Sequence, residues 1–235
     1  MDEQPASFRD QLLFRMDPAR VISLMAFREF AGNAGASIRR VAIVSGSAAE
    51  PELKFLAPGI DLTILDFEQS PAWDLCEDWG DGRLGQTEGT YDLVLCEQVM
   101  EHLPDPRQAF KNLALLLRPG GHAHVSVPGM NGTHGLPTYY YAGFHPMAID
   151  ALFEFAGFKS WVADGWGSNK AVMMYAITDW TPLFFSAFPK SLTRFKPRNF
   201  RDLFRGLHHF FRYNRHSFFP KSATHYVVSW GLGVK

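Results

Sequence analysis

The sequence has few cysteines and no long apolar run, and both absences narrow the class of protein. Two cysteines, Cys76 and Cys96, are too few for a disulfide framework or a zinc–cysteine cluster. No apolar stretch approaches the roughly 18 residues of a membrane-spanning helix. Residues 1–13 are acidic where a signal peptide has its basic region, so we expect a protein of the reducing cytoplasm.

Net charge is also nearly absent, at −1 over 235 residues. This value disfavours a protein that binds nucleic acid over its whole surface. The length suits a single domain, residues 1–235. We expect N-terminal helices over 1–38, a core over 39–165, a helical basic and aromatic insertion over 166–224, and a final strand over 225–235.

Short apolar runs bounded by turn residues alternate with helical patterns along the core. Predicted strands cover 40–44, 62–65, 91–96, 122–127 and 158–163, with a short further strand at 73–76. Predicted helices begin at the Asp17–Pro18 pair and cover 48–57, 105–117 and 146–156. Strands and helices that alternate at this length are typical of βαβ units, so the pattern predicts an α/β fold with a parallel sheet.

Ligands of a doubly wound sheet bind outside the carboxyl ends of its strands. Ser45, Gly46 and Ser47 follow the first predicted strand, and their small size lets a ligand approach the backbone. Asp66 ends the second strand, where a carboxylate accepts hydrogen bonds from ribose hydroxyls. Both features also suit an ordinary turn between a strand and a helix.

A more specific motif runs from Tyr91 to Pro106 (YDLVLCEQVMEHLPDP) and is followed by Leu115–Gly121 (LLLRPGG). This stretch strongly resembles class I S-adenosylmethionine-dependent methyltransferases, especially the small-molecule and biosynthetic group. The segments Ala142–Pro146 and Ala156–Phe158 resemble the same group. The resemblance covers about residues 40–165 and implies a Rossmann-like, seven-stranded, mostly parallel sheet.

The resemblance implies S-adenosylmethionine as cofactor and methyl transfer to an oxygen or nitrogen of a small-molecule or carbohydrate-type acceptor. The cofactor-binding residues expected on this basis are Ser45, Gly46, Ser47, Asp66, Phe67, Asp78, Trp79, Glu97 and Gln98. Asp78 is the candidate for the adenine amine, and Trp79 or Phe67 for stacking on the adenine ring. A structural, buried Trp79 is the alternative.

The first strand departs from the family pattern. Ile43 stands near the position of the usual acidic residue, and the loop that follows has one glycine, Gly46. Glu50 and Glu52 either supply the missing charge or form a solvated helix face. A second hypothesis is therefore a catalytically inactive methyltransferase-like protein that binds a partner or an anionic membrane surface. A nicotinamide-dependent enzyme is disfavoured, because the Gly-x-Gly-x-x-Gly turn is absent.

A hydroxyl acceptor benefits from a general base, which is most often a histidine. The catalytic candidates are His102, His134 and His145. His102 follows the fourth strand at the expected mouth of the crevice, where the alternative is a histidine that caps or packs the turn. His134, in the loop after the fifth strand, and His145, in the segment 143–146, are expected to face the substrate. We interpret His122 and His124 as packing residues and predict no metal site, since no carboxylates are near them in sequence. The aromatic run 139–141 forms either a wall for a sugar or aryl substrate or a packed turn.

The segment 188–221 is basic and aromatic. Nine Lys or Arg and one acid lie between residues 190 and 221, with phenylalanines at helical spacing. Three interpretations stay open: a lid over a phosphorylated or sugar-containing acceptor, an interfacial helix on anionic lipid, or a helical insert packed on the domain. No nucleic-acid motif is present, and the sequence predicts no oligomeric state.

Overall fold

The structure, a computed structural model, describes residues 18–130, 134–167 and 228–235. The elements in chain order are α1 (Pro18–Ala34), β1 (Arg40–Val44), β2 (Asp61–Leu65), β3 (Tyr91–Glu97), α2 (Pro106–Leu116), β4 (Leu117–Pro128), α3 (Pro146–Phe155), β5 (Ser160–Trp166) and β6 (Val228–Val234). Most of the predicted insertion 166–224, with the basic segment 188–221, lies outside the described residues.

The strands form one mixed sheet in the order β2-β1-β3-β4-β6-β5. Neighbours among β1 to β4 pair in parallel, whereas β6 runs antiparallel to β4. The α/β, Rossmann-like prediction is confirmed, with six strands in the described part of the chain. Because the chain moves from β1 out to β2 and then back to β3 on the other side of β1, a crevice opens at the carboxyl ends of β1 and β3.

The central strands are buried on both faces, as a covered parallel sheet requires. Val41 and Ile43 of β1 and Leu93 and Leu95 of β3 pack with Phe27 of α1 on one face. The intervening residues Ala42, Val44, Val94 and Cys96 join the core on the face of α2 and α3. The pleat therefore divides each apolar run between two cores, which explains why the runs do not alternate with polar residues.

Helix α2 begins where the sequence predicts. The Asp105 side chain accepts hydrogen bonds from the backbone N–H groups of Arg107 and Gln108, and Pro106 occupies the first turn. The helix ends at Leu116, but the Pro-Gly-Gly run after it already belongs to β4. Gly121 is required there, because a Cβ atom would lie 2.8 Å from the Tyr91 carbonyl oxygen.

Helix α3 packs on the last strand through two glycines. A Cβ atom on Gly231 would lie 2.3 Å from Phe153, and one on Gly233 would lie 2.4 Å from the same ring. Phe153 itself is fully buried and packs edge-on against Phe110 of α2. The glycines of β6 therefore allow α3 to approach the sheet closely.

Two predicted elements are wrong. Residues 48–57 hold a short 3₁₀ helix at Pro51–Phe55 instead of an α-helix. Residues 73–76 form the end of a 3₁₀ helix (Pro71–Trp73) and a turn instead of a strand. In the second region Asp74 accepts a hydrogen bond from the Cys76 backbone N–H at 2.9 Å. Such local side-chain bonds to the backbone replace the ladder bonds of a strand.

Of the described residues, 18–130, 134–165 and 228–235 belong to one compact unit. Among the helices that the structure describes, none combines the length and the apolar character needed to cross a membrane.

Candidate functional site

The loop after β1 is held tightly at the crevice. Ser45 has a φ of 50°, and its backbone N–H donates to the carbonyl oxygen of Leu65 at 2.9 Å. At Gly46 a Cβ atom would lie 2.7 Å from the Ile43 side chain and 3.1 Å from a Glu50 carboxylate oxygen, so only glycine fits. Ser47 is exposed, and its hydroxyl accepts from the Ala49 N–H. A single glycine thus gives the tight turn that this loop needs.

The end of β2 presents a carboxylate and an aromatic ring side by side. One Asp66 oxygen accepts a hydrogen bond from the Glu68 N–H at 2.7 Å. Phe67 is 51% exposed, which is unusual for a phenylalanine. The predicted ribose and adenine contacts at these two residues stay predictions, and both side chains are accessible to a ligand.

A buried ion cluster links α1 to the crevice. The Arg20 guanidinium contacts Glu50 at 3.2 Å, Glu52 at 2.8 Å and Glu97 at 3.1 Å. Burial alone would lower the pKa of Arg20, but the charges of the three carboxylates raise it. The guanidinium therefore joins the loop after β1 to the end of β3 as a permanent cation.

Glu97 is fully paired within this cluster. Its carboxylate accepts from His124 Nδ1 at 2.6 Å, from the Ser126 hydroxyl and from Arg20. Burial raises the pKa of Glu97, but the charges of His124 and Arg20 and the hydrogen bonds of the cluster outweigh burial and lower it. Glu97 is therefore ionised and held in place at neutral pH.

Glu52 is buried with no exposed surface. Burial and the nearby charge of Glu97 raise the pKa of Glu52, although Arg20 opposes the shift. Of the two interpretations of Glu50 and Glu52, the structure supports the supply of charge, because both face the crevice cation and not solvent.

Gln98 has a φ of 58° directly after the paired Glu97. Its backbone N–H donates to the Ser126 carbonyl at 2.7 Å, and its side-chain amide donates to the Ser126 hydroxyl at 3.1 Å. A non-glycine residue in the left-handed region costs energy and persists only where the surroundings impose it. The carboxyl ends of β1 and β3 thus each carry one such residue, Ser45 and Gln98.

Asp78 and Trp79 belong to the turns between β2 and β3. Trp79 is completely buried, with its indole N–H on the Asp74 carbonyl at 2.8 Å, and Asp78 accepts from the Gly80 N–H. The prediction that Trp79 stacks on adenine is corrected, because its ring has no exposed face. Its backbone N–H donates to Asn112 of α2, which ties this loop to the core. Phe67 remains the stacking candidate.

Two of the three predicted catalytic histidines come together after β3. The rings of His102 and His134 lie 4.8 Å apart, centroid to centroid. The carboxylate of Glu101 lies 3.9 Å from His102 Nε2. His102 Nδ1 lies 2.6 Å from the Thr138 carbonyl oxygen. Because a carbonyl only accepts, Nδ1 carries the proton, and the lone pair of a neutral His102 is on Nε2, the nitrogen nearer Glu101.

His145 has a structural role. Its Nδ1 accepts a hydrogen bond from the Met147 backbone N–H at 3.2 Å and caps the start of α3. This nitrogen satisfies a helix terminus, and the catalytic role of His145 stays a prediction. His122 packs beside Phe30, as the sequence predicts. His124 packs beside Phe27 but also pairs with Glu97, so packing is only part of its role.

The crevice residues fit a sulfonium cofactor. Three carboxylates face one guanidinium there, so negative charge is available for an ammonium and a sulfonium group. The turn at Gly46 admits no side chain, and Asp66 and Phe67 are accessible beside it. Arg20 is the cation suited to a carboxylate of the ligand.

Sequence reasoning missed Arg20, Glu101 and the pairing role of His124. Arg20 shares a helix face with Leu24, Phe27 and Ala31, so a cation on the apolar face of α1 was the available signal. Glu101 stands beside His102 in the motif, but only the fold shows that it is 1% exposed.

The methyltransferase-domain family matches residues 66–223, which is more than half of the chain. S-adenosylmethionine is the cofactor of this family. A ubiquinone biosynthesis O-methyltransferase of Vibrio parahaemolyticus is 44% identical over 43 residues, 18% of each chain. The enzyme of that name from Marinobacter nauticus is 34% identical over 67 residues, which are 28% of this chain and 26% of the relative.

The chain thus matches about a quarter or less of the length of these curated relatives. A solved structure from Bordetella parapertussis, described as a possible exported protein, shares the fold. Its TM-score is 0.50 at 14% identity, over 99% of this chain and 76% of that one. Because the family match spans most of the chain and the sheet has the expected Rossmann-like form, the chain belongs to the methyltransferase-domain family.

Proposed function

We propose that the protein is an S-adenosylmethionine-dependent methyltransferase that acts on an oxygen of a small-molecule acceptor. The observation that carries this proposal is the pair of clusters at the end of β3. The ion cluster around Glu97 suits the cofactor, and Glu101, His102 and His134 lie four or more residues further along the chain. The partial likeness to curated O-methyltransferases supports oxygen over nitrogen.

Each part of the cofactor would contact a different kind of group: carboxylates, an aromatic ring or the Arg20 guanidinium. Asp66 would accept hydrogen bonds from the ribose hydroxyls, and the half-exposed ring of Phe67 would stack on adenine. Glu52 and Glu97 would face the cationic end of the cofactor, and Arg20 its carboxylate. The backbone of the turn at Gly46 would pack against the ligand directly.

The bound cofactor supplies an activated methyl group, so this chain has to orient the acceptor, exclude water and handle one proton. His102 is the proton acceptor of choice, because its Nδ1–H is fixed on Thr138 and its Nε2 lone pair is on the side of Glu101. As the oxygen–methyl bond forms, the hydroxyl proton would pass to this nitrogen.

Calorimetric titration with S-adenosylhomocysteine tests the proposal. We expect micromolar binding to the full chain, and at least tenfold weaker binding to Asp66→Ala, since the ribose hydroxyls lose a charged acceptor. Asp61→Ala is the matched control, because Asp61 lies at the other end of β2 and pairs with Arg40 on the surface. Absence of binding at millimolar ligand would remove the enzymatic proposal.

The second candidate is a methyltransferase-like protein without activity. One observation favours it: Arg20 already pairs with all three crevice carboxylates, so a cofactor must displace some of these contacts. This candidate predicts no binding of S-adenosylhomocysteine and salt-sensitive binding to anionic vesicles that is lost on deletion of 188–221. The phosphorylated or sugar-containing acceptor and the membrane contact of that segment stay predictions.

A further inference from the structure

Glu101, His102 and His134 form a cluster with the composition of a metal site. Each offers one ligand atom, and these three atoms lie within 4.8 Å of one another. We propose that this cluster binds a divalent transition-metal ion, with zinc as the test ion. Two imidazoles and one carboxylate favour zinc and its first-row neighbours over magnesium and calcium, which prefer oxygen ligands.

The Glu101 side chain provides the strongest observation. The residue is 1% exposed, and its Oε2 has no hydrogen-bond partner among the residues that the structure describes. A buried carboxylate oxygen without a partner is costly, because water no longer solvates it. Burial accordingly raises the pKa of Glu101. A bound cation would supply the missing partner and keep the carboxylate ionised.

His102 is oriented in the manner of a metal ligand. Its Nδ1–H donates to the Thr138 carbonyl at 2.6 Å, which holds the ring and assigns the Nε2 lone pair to the cluster. Histidines that bind metals nearly always donate their other nitrogen to a carbonyl or carboxylate in this way. The hydrogen bond thus prepares the nitrogen that the metal would use.

The loop that carries His134 is fastened to the same turn. The backbone N–H groups of Tyr140 and Tyr141 both donate to the Glu101 carbonyl oxygen, at 2.9 and 3.2 Å. At Gly135, whose φ is +59°, a Cβ atom would lie 2.8 Å from the His102 ring. The absence of a side chain at Gly135 therefore lets this loop rest on His102 and brings His134 beside it.

The present spacing requires a small contraction. Ligands of tetrahedral zinc lie about 3.3 Å apart for bonds near 2.0–2.1 Å, and Glu101 and His102 are 3.9 Å apart. His134 is exposed, so a movement of its ring toward the other two ligands does not disturb the core. Three protein ligands would leave one position open for an acceptor oxygen, the arrangement of catalytic zinc sites.

This use of the open position rests on the proposed function, whereas metal binding itself does not. An acceptor hydroxyl bound to the metal would lose its proton more readily, because the metal lowers its pKa. The proton would pass to solvent, and His102 would serve as a ligand instead of a base.

Metal binding is tested on the full chain after removal of metals with EDTA. All proteins carry Cys76→Ser, so that a partly exposed thiol does not compete for the ion. We expect one equivalent of zinc to bind with micromolar or tighter affinity by calorimetry, unaffected by 10 mM magnesium. Cobalt should give the visible absorption bands of a low-coordinate site.

His134→Ala and Glu101→Gln should each weaken zinc binding at least tenfold and abolish the cobalt bands. His134 is exposed, so its replacement leaves the folded core intact. His122→Gln is the matched control, since His122 packs beside Phe30 and pairs with Leu93, four residues before Glu97 on β3. Zinc binding that is absent, or equal in all four proteins, would overturn the metal site.

Titration of the same proteins with S-adenosylhomocysteine separates this inference from the proposed function. If S-adenosylhomocysteine binds but zinc does not, only the metal site is refuted. If zinc binds but S-adenosylhomocysteine does not, the metal site is supported and the methyltransferase proposal fails.

Discussion

Two charged clusters flank the end of β3, and they differ in how their charges are satisfied. In the first cluster, Glu97 accepts three hydrogen bonds and Arg20 contacts three carboxylates. Its members are Arg20, Glu50, Glu52, Glu97 and His124. In the cluster of Glu101, His102 and His134, a buried carboxylate oxygen has no partner among the described residues. The comparison indicates that the first cluster has a structural role and holds the crevice together. The second cluster has the unsatisfied group expected of a binding site, here for a metal ion.

The largest effect should come from Arg20→Met. This change leaves Glu52 and Glu97 buried without their shared cation, and breaking such a group typically costs about 3–5 kcal/mol. Urea denaturation measures the loss in unfolding free energy. Arg40→Ala is the control, because Arg40 and Asp61 form an exposed pair for which about 1 kcal/mol or less is expected. Equal effects of the two changes would contradict the framework role.

Matched glutamine substitutions in the two clusters should change the free energy of unfolding in opposite directions. Glu97→Gln removes charge-assisted bonds from Arg20 and His124 and should destabilise the fold by about 2–3 kcal/mol. Glu101→Gln removes a buried charge, one oxygen of which has no partner among the described residues, and should stabilise the metal-free fold by about 1 kcal/mol at pH 8. Denaturation in EDTA measures both. Destabilisation by Glu101→Gln would show that this carboxylate is already satisfied.

The contributions of Glu97 and Glu101 to folding stability should also depend on pH in opposite directions. The pKa of Glu97 is lowered by folding, so its contribution is present above about pH 4.3 and is lost as the pH falls further. The pKa of Glu101 is raised by folding, so its protonated form favours the fold at low pH and this benefit is lost as the pH rises.

Denaturation curves from pH 3 to 8 in EDTA separate the two contributions. The stability difference between wild type and Glu97→Gln should shrink below about pH 4. The difference between wild type and Glu101→Gln should grow as the pH rises above about 4.3, the ordinary pKa of a glutamate. Parallel stability profiles for all three proteins would contradict the assigned pKa directions.

Much of the fold follows from local signals in the sequence. The Asp105–Pro106 pair predicts the start of α2. The Asp105 side chain accepts hydrogen bonds from the first free N–H groups of the helix, and Pro106 has the φ angle that the first turn requires. The strands at 40–44 and 91–96 are predicted because continuous apolar runs suit a sheet covered on both faces. The turns after Asp66 were harder to predict. Asp74 and Asp78 form them by accepting hydrogen bonds from nearby backbone N–H groups, and the pattern of apolar residues does not show such bonds.

The candidate site was predictable only where its residues follow strands. Ser45, Gly46, Asp66 and Glu97 do so, and the structure places them around the crevice. Arg20 comes from a helix 77 positions before its partner Glu97, and His134 comes from the loop after β4 to meet His102. Contacts between such distant segments depend on packing, so no spacing in the sequence predicts the three-residue cluster of Glu101, His102 and His134.

A crystal structure of the full chain with S-adenosylhomocysteine tests the central claim most directly. The account predicts the ligand in the crevice, with its ribose on Asp66, its adenine against Phe67 and its amino-acid end among Arg20, Glu52 and Glu97. Arg20 would then give up at least one of its three carboxylate contacts. A crevice without ligand density at millimolar concentration, with Arg20 still on Glu50, Glu52 and Glu97, would contradict it.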